Sequence, residues 1–228
     1  MCKNPKKRWK VPFRTRPTKI FKSLSLFLLV TAFLIVAAAP LTFANTDPTI
    51  TSTPADQTID EGATLTGLSG EFTDLDDCPW TGEITWGDAT GTETFSIAQT
   101  PSYTLPDHTY ADDGTYQVEL TITDDSGRES PQASFGVTVQ NVAPTVTLTG
   151  GADIDEGGDY TLTIDSIDDP GDDNWTMITV HWGDGEDDDY ANLGDVTHTY
   201  SDDGTYSITV DVVDEDGTFT DAGNEVTA

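Results

Sequence analysis

The sequence predicts an all-β chain: two tandem sandwiches of the same kind, preceded by an N-terminal hydrophobic export helix. Three observations carry this. A ten-residue stretch, His108-Thr-Tyr-Ala-Asp-Asp-Gly-Thr-Tyr-Gln117, returns 90 residues later as His198-Thr-Tyr-Ser-Asp-Asp-Gly-Thr-Tyr-Ser207, with eight positions identical. A repeat of that period marks a duplicated domain rather than a solenoid unit. Apolar residues alternate along short runs, such as Val118, Leu120 and Ile122, or Ile208, Val210 and Val212, and no long stripe of helical period appears. Charge, finally, divides the chain: residues 1–44 carry nine Lys or Arg and no acid, while residues 45–228 carry all 41 acids and one base, Arg128.

At the N-terminus, the basic residues between Lys3 and Lys22 precede an uncharged run of 22 residues, Ser23 to Ala44, which closes on Thr42-Phe-Ala44. A basic flank, an apolar core and small residues at the end are the pattern of a signal peptide, here residues 1–44. The run also reaches the roughly 20 residues that span a bilayer, so an uncleaved signal anchor is the alternative. The basic flank holds the N-terminus inside in either case. The remainder is expected to be secreted or at the cell surface, or else membrane-anchored with its C-terminal part exported. Membrane contact is expected only through the N-terminal segment, if it stays uncleaved. Cys78 would be the only cysteine left after cleavage, a small, partly buried residue with no partner for an internal disulfide.

With the first 44 residues removed, the formal charge is −40, one base against 41 acids. The acids fall in many short turns, which argues for solvated loops and affinity for cations. Nucleic acid is excluded as a partner, because almost no cation is present to pair with phosphates. The 184 residues that remain suit two domains, 45–142 and 143–228, each long enough for its own core.

The elements follow in order. Thr49 to Thr51 form a first strand bounded by Pro48 and Pro54. Ile59-Asp-Glu-Gly62 and Ile154-Asp-Glu-Gly157 are turns, each leading into a strand: Leu65, Leu68 and Phe72 in the first copy, Tyr160, Leu162 and Ile164 in the second. An acidic loop comes next, Thr73–Asp77 and Ile167–Asp173, followed by a strand ending in tryptophan, Ile84 to Trp86 and Ile178 to Trp182. Ile84 with Trp86, and Val180 with Trp182, share an inner face. Trp86-Gly-Asp88 and Trp182-Gly-Asp184 turn the chain. Thr92 to Ile97 and Tyr190 to Val196 are the expected strands before the repeated stretch, and Phe135 to Val139 closes the first copy. The linker Gln140-Asn-Val-Ala-Pro144 is short and holds a proline, so it should be semi-rigid, with the domains end to end. It lacks acids of its own, which makes calcium stiffening at the junction unexpected.

Asp112-x-Gly114-x-Tyr116-x-Val118 and Asp202-x-Gly204-x-Tyr206-x-Ile208 have the spacing of an immunoglobulin-type tyrosine corner, in which a Tyr near the start of strand F returns its hydroxyl to upstream backbone. Val118 and Ile208 stand where antibody domains place a cysteine, and Trp86 and Trp182 fit the strand-C tryptophan. The fold class is therefore two tandem immunoglobulin-like sandwiches, and the acidic loops are B–C loops. At these residues the chain resembles the polycystic-kidney-disease (PKD) domains, whose pattern runs through an aromatic-Gly-Asp-Gly turn, His-Thr-Tyr, Gly-x-Tyr and a strand ending in Asp-x-x-Gly. The second copy matches throughout, with Trp182-Gly-Asp-Gly185, His198-Thr-Tyr200, Gly204-Thr-Tyr206, Asp214 and Gly217. The first departs at Ala89, where the turn is expected to differ in shape.

No nucleophile elbow, zinc-type His spacing, phosphate loop or reactive cysteine setting is present, and no carboxylate pair stands out as acid and base. The chain is read as a non-enzyme. Calcium is the chemical candidate, because it takes about 6–8 oxygen ligands that clustered carboxylates supply. The candidate ligands are Asp74, Asp76 and Asp77 in the first B–C loop and Asp168, Asp169, Asp172 and Asp173 in the second; the resemblance implies calcium in this region for some PKD domains. A solvated acidic loop is the competing reading. Trp80 and Trp175, just before strand C, are expected either to be exposed, able to stack on sugars, or to pack in the core. The resemblance implies a calcium-stabilised adhesion, spacer or interaction module that binds an extracellular protein or polysaccharide. The alternative is a pair of accessory domains from a secreted hydrolase whose catalytic part lies elsewhere.

Overall fold

Every regular element among the described residues is a strand, as the alternating sequence demands. The structure, a computed structural model, describes residues 45–74, 78–98 and 101–228; the expected signal or anchor, residues 1–44, lies outside them. The first sandwich comprises β1 (Thr49–Ser52), β2 (Gln57–Asp60), β3 (Thr64–Leu65), β4 (Ser69–Thr73), β5 (Trp80–Thr85), β6 (Thr92–Ile97), β7 (Ser102–Thr104), β8 (His108–Thr109), β9 (Gly114–Thr123) and β10 (Ala133–Gln140). β1, β4 and β7 make one sheet, and β2, β10, β9, β5 and β6, in that order, make the other. The second comprises β11 (Thr145–Gly150), β12 (Asp159–Asp168), β13 (Met177–His181), β14 (Asp187–Tyr190), β15 (Gly194–Thr199), β16 (Ser207–Val213), β17 (Thr218–Phe219) and β18 (Val226–Thr227). Here β11, β12 and β15 form one sheet; β14, β13, β16 and β17 form the other, with β18 paired to β16.

Side chains two apart on a strand share a face, and the inner faces fill two separate cores. Phe72, Ile84, Trp86, Val118, Leu120 and Ile122 are buried in the first; Ile178, Val180, Trp182, Ile208, Val210 and Val212 in the second. Each such aliphatic or aromatic side chain stabilises the fold by about 1.5–3 kcal/mol of apolar burial. Cys78 is partly buried against the first core, as expected, and in the full chain its sulfur is not free.

The repeated stretch and the tryptophan turn form one unit in each sandwich. His108 stacks on Trp86 with ring centres 4.5 Å apart and planes 5° from parallel, and donates from Nε2 to Asp88 Oδ2 at 2.6 Å. His198 repeats this on Trp182 at 4.7 Å, with Asp184 Oδ2 at 2.8 Å. Burial alone would raise the Asp184 carboxyl, but the hydrogen bonds from His198 and the Glu186 backbone hold it below its ordinary value. Tyr110 and Tyr200 are buried, and their hydroxyls donate to the carbonyls of Trp86 (2.9 Å) and Trp182 (3.0 Å). The second tyrosine of each stretch makes the corner: Tyr116 donates to the Asp112 carbonyl (2.9 Å) and Tyr206 to the Asp202 carbonyl (3.0 Å). Gly87, at φ 87°, has room for no side chain, since a Cβ would lie 2.8 Å from the Gln117 carbonyl oxygen.

Two strand expectations need correction. The strand foreseen through Leu65, Leu68 and Phe72 is broken into β3 and β4 at Gly67, whose φ of 67° leaves the β region. The one foreseen over Tyr190–Val196 is likewise two strands, β14 and β15, because the chain turns at 191–193 ahead of Gly194 at φ 120°. β2, which pairs in parallel with β10, was not foreseen, since Gln57-Thr-Ile-Asp60 holds a single apolar residue. Trp80 is buried, set edge-on to Phe72 at 5.3 Å, and Trp175 is partly buried against the second core; of the two readings, core packing holds for Trp80. At Ala89 the departure from glycine leaves a φ of 64°, the same left-handed region as Gly185 at 98°.

Candidate metal centre

The seven aspartates singled out in the B–C loops are not equivalent. Asp74 Oδ2 accepts the Trp80 indole N–H at 2.7 Å, so this carboxylate caps a core tryptophan. Asp76 and Asp77 lie outside the described residues. Asp168, the last residue of β12, and Asp172 are exposed. Asp169 and Asp173 meet a residue that the sequence reading did not select, Glu61 of the first sandwich. One oxygen from each of these three carboxylates lies within 4.8 Å of the others.

Glu61 reaches this place because it follows β2 at a turn pinned to the end of its own sandwich. Its N–H donates to the Gln140 carbonyl at 2.9 Å, and the Gly62 N–H to the Tyr110 carbonyl at 2.9 Å. Its Oε1 accepts the Val142 N–H at 2.6 Å, which ties the carboxylate to the linker. The second B–C loop closes on it from the other side. Asp172 donates its N–H to the Ala111 carbonyl at 2.7 Å, inside the first copy of the repeated stretch. Asp169 Oδ1 accepts the Gly171 N–H at 3.1 Å, a short Asx-type turn that folds the loop tip. Gly62, at φ 68°, allows the approach: a Cβ there would stand 2.4 Å from the Pro170 carbonyl oxygen. The linker brings no acid, yet the junction is acidic, because the loops at the ends of the two sandwiches supply what Gln140–Pro144 lacks.

The electrostatics of the group are those of negative charge without a counterion among the described residues. Glu61 is 2% exposed, and its Oε2 is buried with no hydrogen-bond partner; both carboxyl oxygens of Asp173 are in the same state. Burial first, then the charges of Glu61, Asp169, Asp216 and Glu215, push the Asp173 carboxyl up to about 7. Glu61 is raised by burial, and by Asp169, Asp216 and Asp113, against the lowering effect of the Val142 N–H. Two full charges at 4.8 Å repel by about 3 kcal/mol at an effective dielectric of ~20. The one Arg among the described residues, Arg128, pairs with Asp47 at 2.7 Å, and no Lys is present after residue 44.

All the donors are carboxylate oxygens, which suits a hard cation of the calcium class and not a soft metal. Three carboxylates offer up to six oxygens, within reach of the roughly 6–8 that calcium takes, and the unpaired buried oxygens are the ones such an ion would engage. The residues therefore fit the ion. Asp124 and Asp214, the first residues of the acidic turns after β9 and β16, were also missed by the sequence reading. Each accepts backbone N–H groups at Oδ1, from Ser126 and Arg128 in one case and from Asp216 and Gly217 in the other. Each keeps Oδ2 buried and unpaired.

Comparisons with known proteins bear on the family. The PKD domain family matches residues 45–139 and 141–228. Among solved structures the chain is similar to the fibronectin(III)-like modules of Clostridium thermocellum CbhA, at 21% identity and TM-score 0.32, covering 79% of this chain and 90% of that one. It is similar to the PKD domain of an M14-like peptidase from Thermoplasmatales archaeon SCGC AB-540-F20, at 25% identity and TM-score 0.30, covering 42% and 98%. A third similarity is to the FN1-FN3 domains of chicken CNTN1, at 10% identity and TM-score 0.30, covering 80% and 65%. No curated protein matches the chain.

Proposed function

Since the chain belongs to the PKD domain family, with both of its sandwiches matched, we propose that it is an exported, non-catalytic spacer and interaction module that works outside the cell or at its surface. The observation that carries the reading is the fate of the groups an enzyme would need. All three histidines are committed to the scaffold: His108 and His198 lie flat on tryptophans, and His181 sits between Asp187 (2.7 Å) and Asp211 (3.2 Å). The carboxylates fall along loops and turns, and the group that gathers at one place joins two domains instead of lining a cleft. An extracellular protein or a polysaccharide is the expected partner, since −40 of formal charge after residue 44 leaves little attraction for polyanions.

Calcium stabilisation is part of this reading, through aspartates of the B–C loops. Millimolar calcium should raise the melting temperature more than sodium chloride of equal ionic strength does, because a bound ion stabilises the native state beyond screening. Equal shifts from the two salts would leave screening alone. The function itself is tested by retention of residues 45–228 on cell-envelope and polysaccharide preparations, with and without calcium. Saturable binding to one of them is expected. A hydrolytic activity lost on changing a single carboxylate in a folded variant would overturn the non-catalytic reading.

A further inference from the structure

We propose that Glu61, Asp169 and Asp173 form one calcium site shared between the two sandwiches, so that calcium latches the domains together. The inference rests on the calcium part of the function proposed above and deepens it by naming the site and what occupation does. Its ligands come from both sides of the linker: Glu61 from the turn after β2, Asp169 and Asp173 from the loop after β12, with one oxygen of each inside a 4.8 Å group. An acidic group on a surface would mean little in so acidic a chain. This one is different, because Glu61 is 2% exposed and its Oε2, like both oxygens of Asp173, is buried without a hydrogen-bond partner; Glu61 Oε2 and Asp173 Oδ2 converge over Gly171, 2.7 and 3.0 Å from where its Cβ would stand. Buried carboxylates are paired or coordinate a metal, and the lone Arg after residue 44, Arg128, belongs to an ion pair with Asp47.

The ligands are also positioned before any ion arrives. Val142 N–H holds Glu61 Oε1, and the Asp172–Ala111 backbone bond holds the loop against the first sandwich. Among the described residues, the contacts that close the latch include that backbone bond, the packing of Gly62 on Pro170 and of Gly171 on Glu61, and a hydrogen bond from Asn141 Nδ2 to Asp216 Oδ2. In calcium, attraction of three carboxylates to one ion adds to them. Without calcium, mutual repulsion of the same carboxylates acts against them, and the sandwiches can turn about residues 141–144. A magnesium ion serves less well, since it demands octahedral geometry and keeps several waters.

The test is calorimetric titration of calcium chloride into the chain and into two variants, Glu61→Gln in the first sandwich and Asp173→Asn in the second. Both substitutions are isosteric, and glutamine still offers an oxygen to the Val142 N–H, so the folds are kept; circular dichroism confirms this. A shared site predicts that either substitution weakens the same single binding event by about a hundredfold, as much as the largest losses seen when a mere outer-sphere partner is removed. If the wild-type chain binds calcium and Glu61→Gln binds it equally well, the latch is overturned while the calcium reading stands. If the wild-type chain binds no calcium at millimolar concentration, that reading fails and the latch with it.

Discussion

Removing a single hydroxyl distinguishes two accounts of the repeated stretch. Its spacing puts weight on the corner tyrosines, Tyr116 and Tyr206, whereas the structure puts it on the tyrosines six residues earlier. Tyr200 is 3% exposed, and its hydroxyl donates to the Trp182 carbonyl at 3.0 Å in the core. Tyr206 is partly exposed and bonds a surface carbonyl, that of Asp202. In Tyr200→Phe the ring stays, so packing is unchanged, but a buried carbonyl loses its donor without access to water. The cost should be about 1–3 kcal/mol, which for a domain of this size lowers the melting temperature by roughly 5–15 °C. Tyr206→Phe trades its bond for one to water and should cost less than about 1 kcal/mol. Tyr110→Phe, with its 2.9 Å bond to the Trp86 carbonyl, repeats the experiment in the first sandwich. Differential scanning calorimetry of the four proteins gives the ranking. A Tyr206→Phe variant less stable than Tyr200→Phe, or a Tyr200→Phe loss of under about 2 °C, would refute the reasoning.

Other substitutions probe the remaining elements. Ala89→Gly should stabilise the first sandwich by about 1 kcal/mol, because Ala89 is exposed and held at φ 64°, where an L side chain is strained; the urea midpoint reads it. Gly62→Ala places a Cβ 2.4 Å from the Pro170 carbonyl oxygen and adds strain on the order of 1–3 kcal/mol at its φ of 68°. It should therefore separate the domains more than it unfolds them, visible as faster proteolysis of the linker. His181 is raised above 6.5 chiefly by its hydrogen bond to Asp187, with help from Asp211. Its contribution to stability is thus complete below pH 6.5 and is lost as pH rises through the higher folded value. In His181→Gln that part of the pH dependence should vanish, and an unchanged pH profile of melting temperature would remove His181 from the account.

The fold was largely legible because the signals were redundant: period-two runs, a duplicated stretch and the tryptophan turn agree with one another. Where a segment gave one signal only, it misled. Leu65, Leu68 and Phe72 read as a single strand, since nothing in their spacing shows that Gly67 turns the chain. Gln57–Asp60 carries almost no strand signal, because its one apolar residue, Ile59, shows no alternation; only its pairing with β10 makes it a strand. The candidate centre was half legible. Asp169 and Asp173 stood out as carboxylates in an acidic loop, but so did Asp168 and Asp172, and only the course of the loop sorts them. Around Glu61 the sequence speaks for the backbone alone: Ile-Asp-Glu-Gly marks a turn, and a turn at the end of a sandwich faces whatever follows. Its burial is a property of the junction between domains, which no pattern within either copy encodes.

Backbone 15N relaxation of the two-sandwich chain tests most directly whether calcium makes the tandem a single body. In millimolar calcium both sandwiches should fit one common rotational diffusion tensor, and chelation should give each its own, faster tumbling. Two independently tumbling sandwiches in saturating calcium would contradict the account.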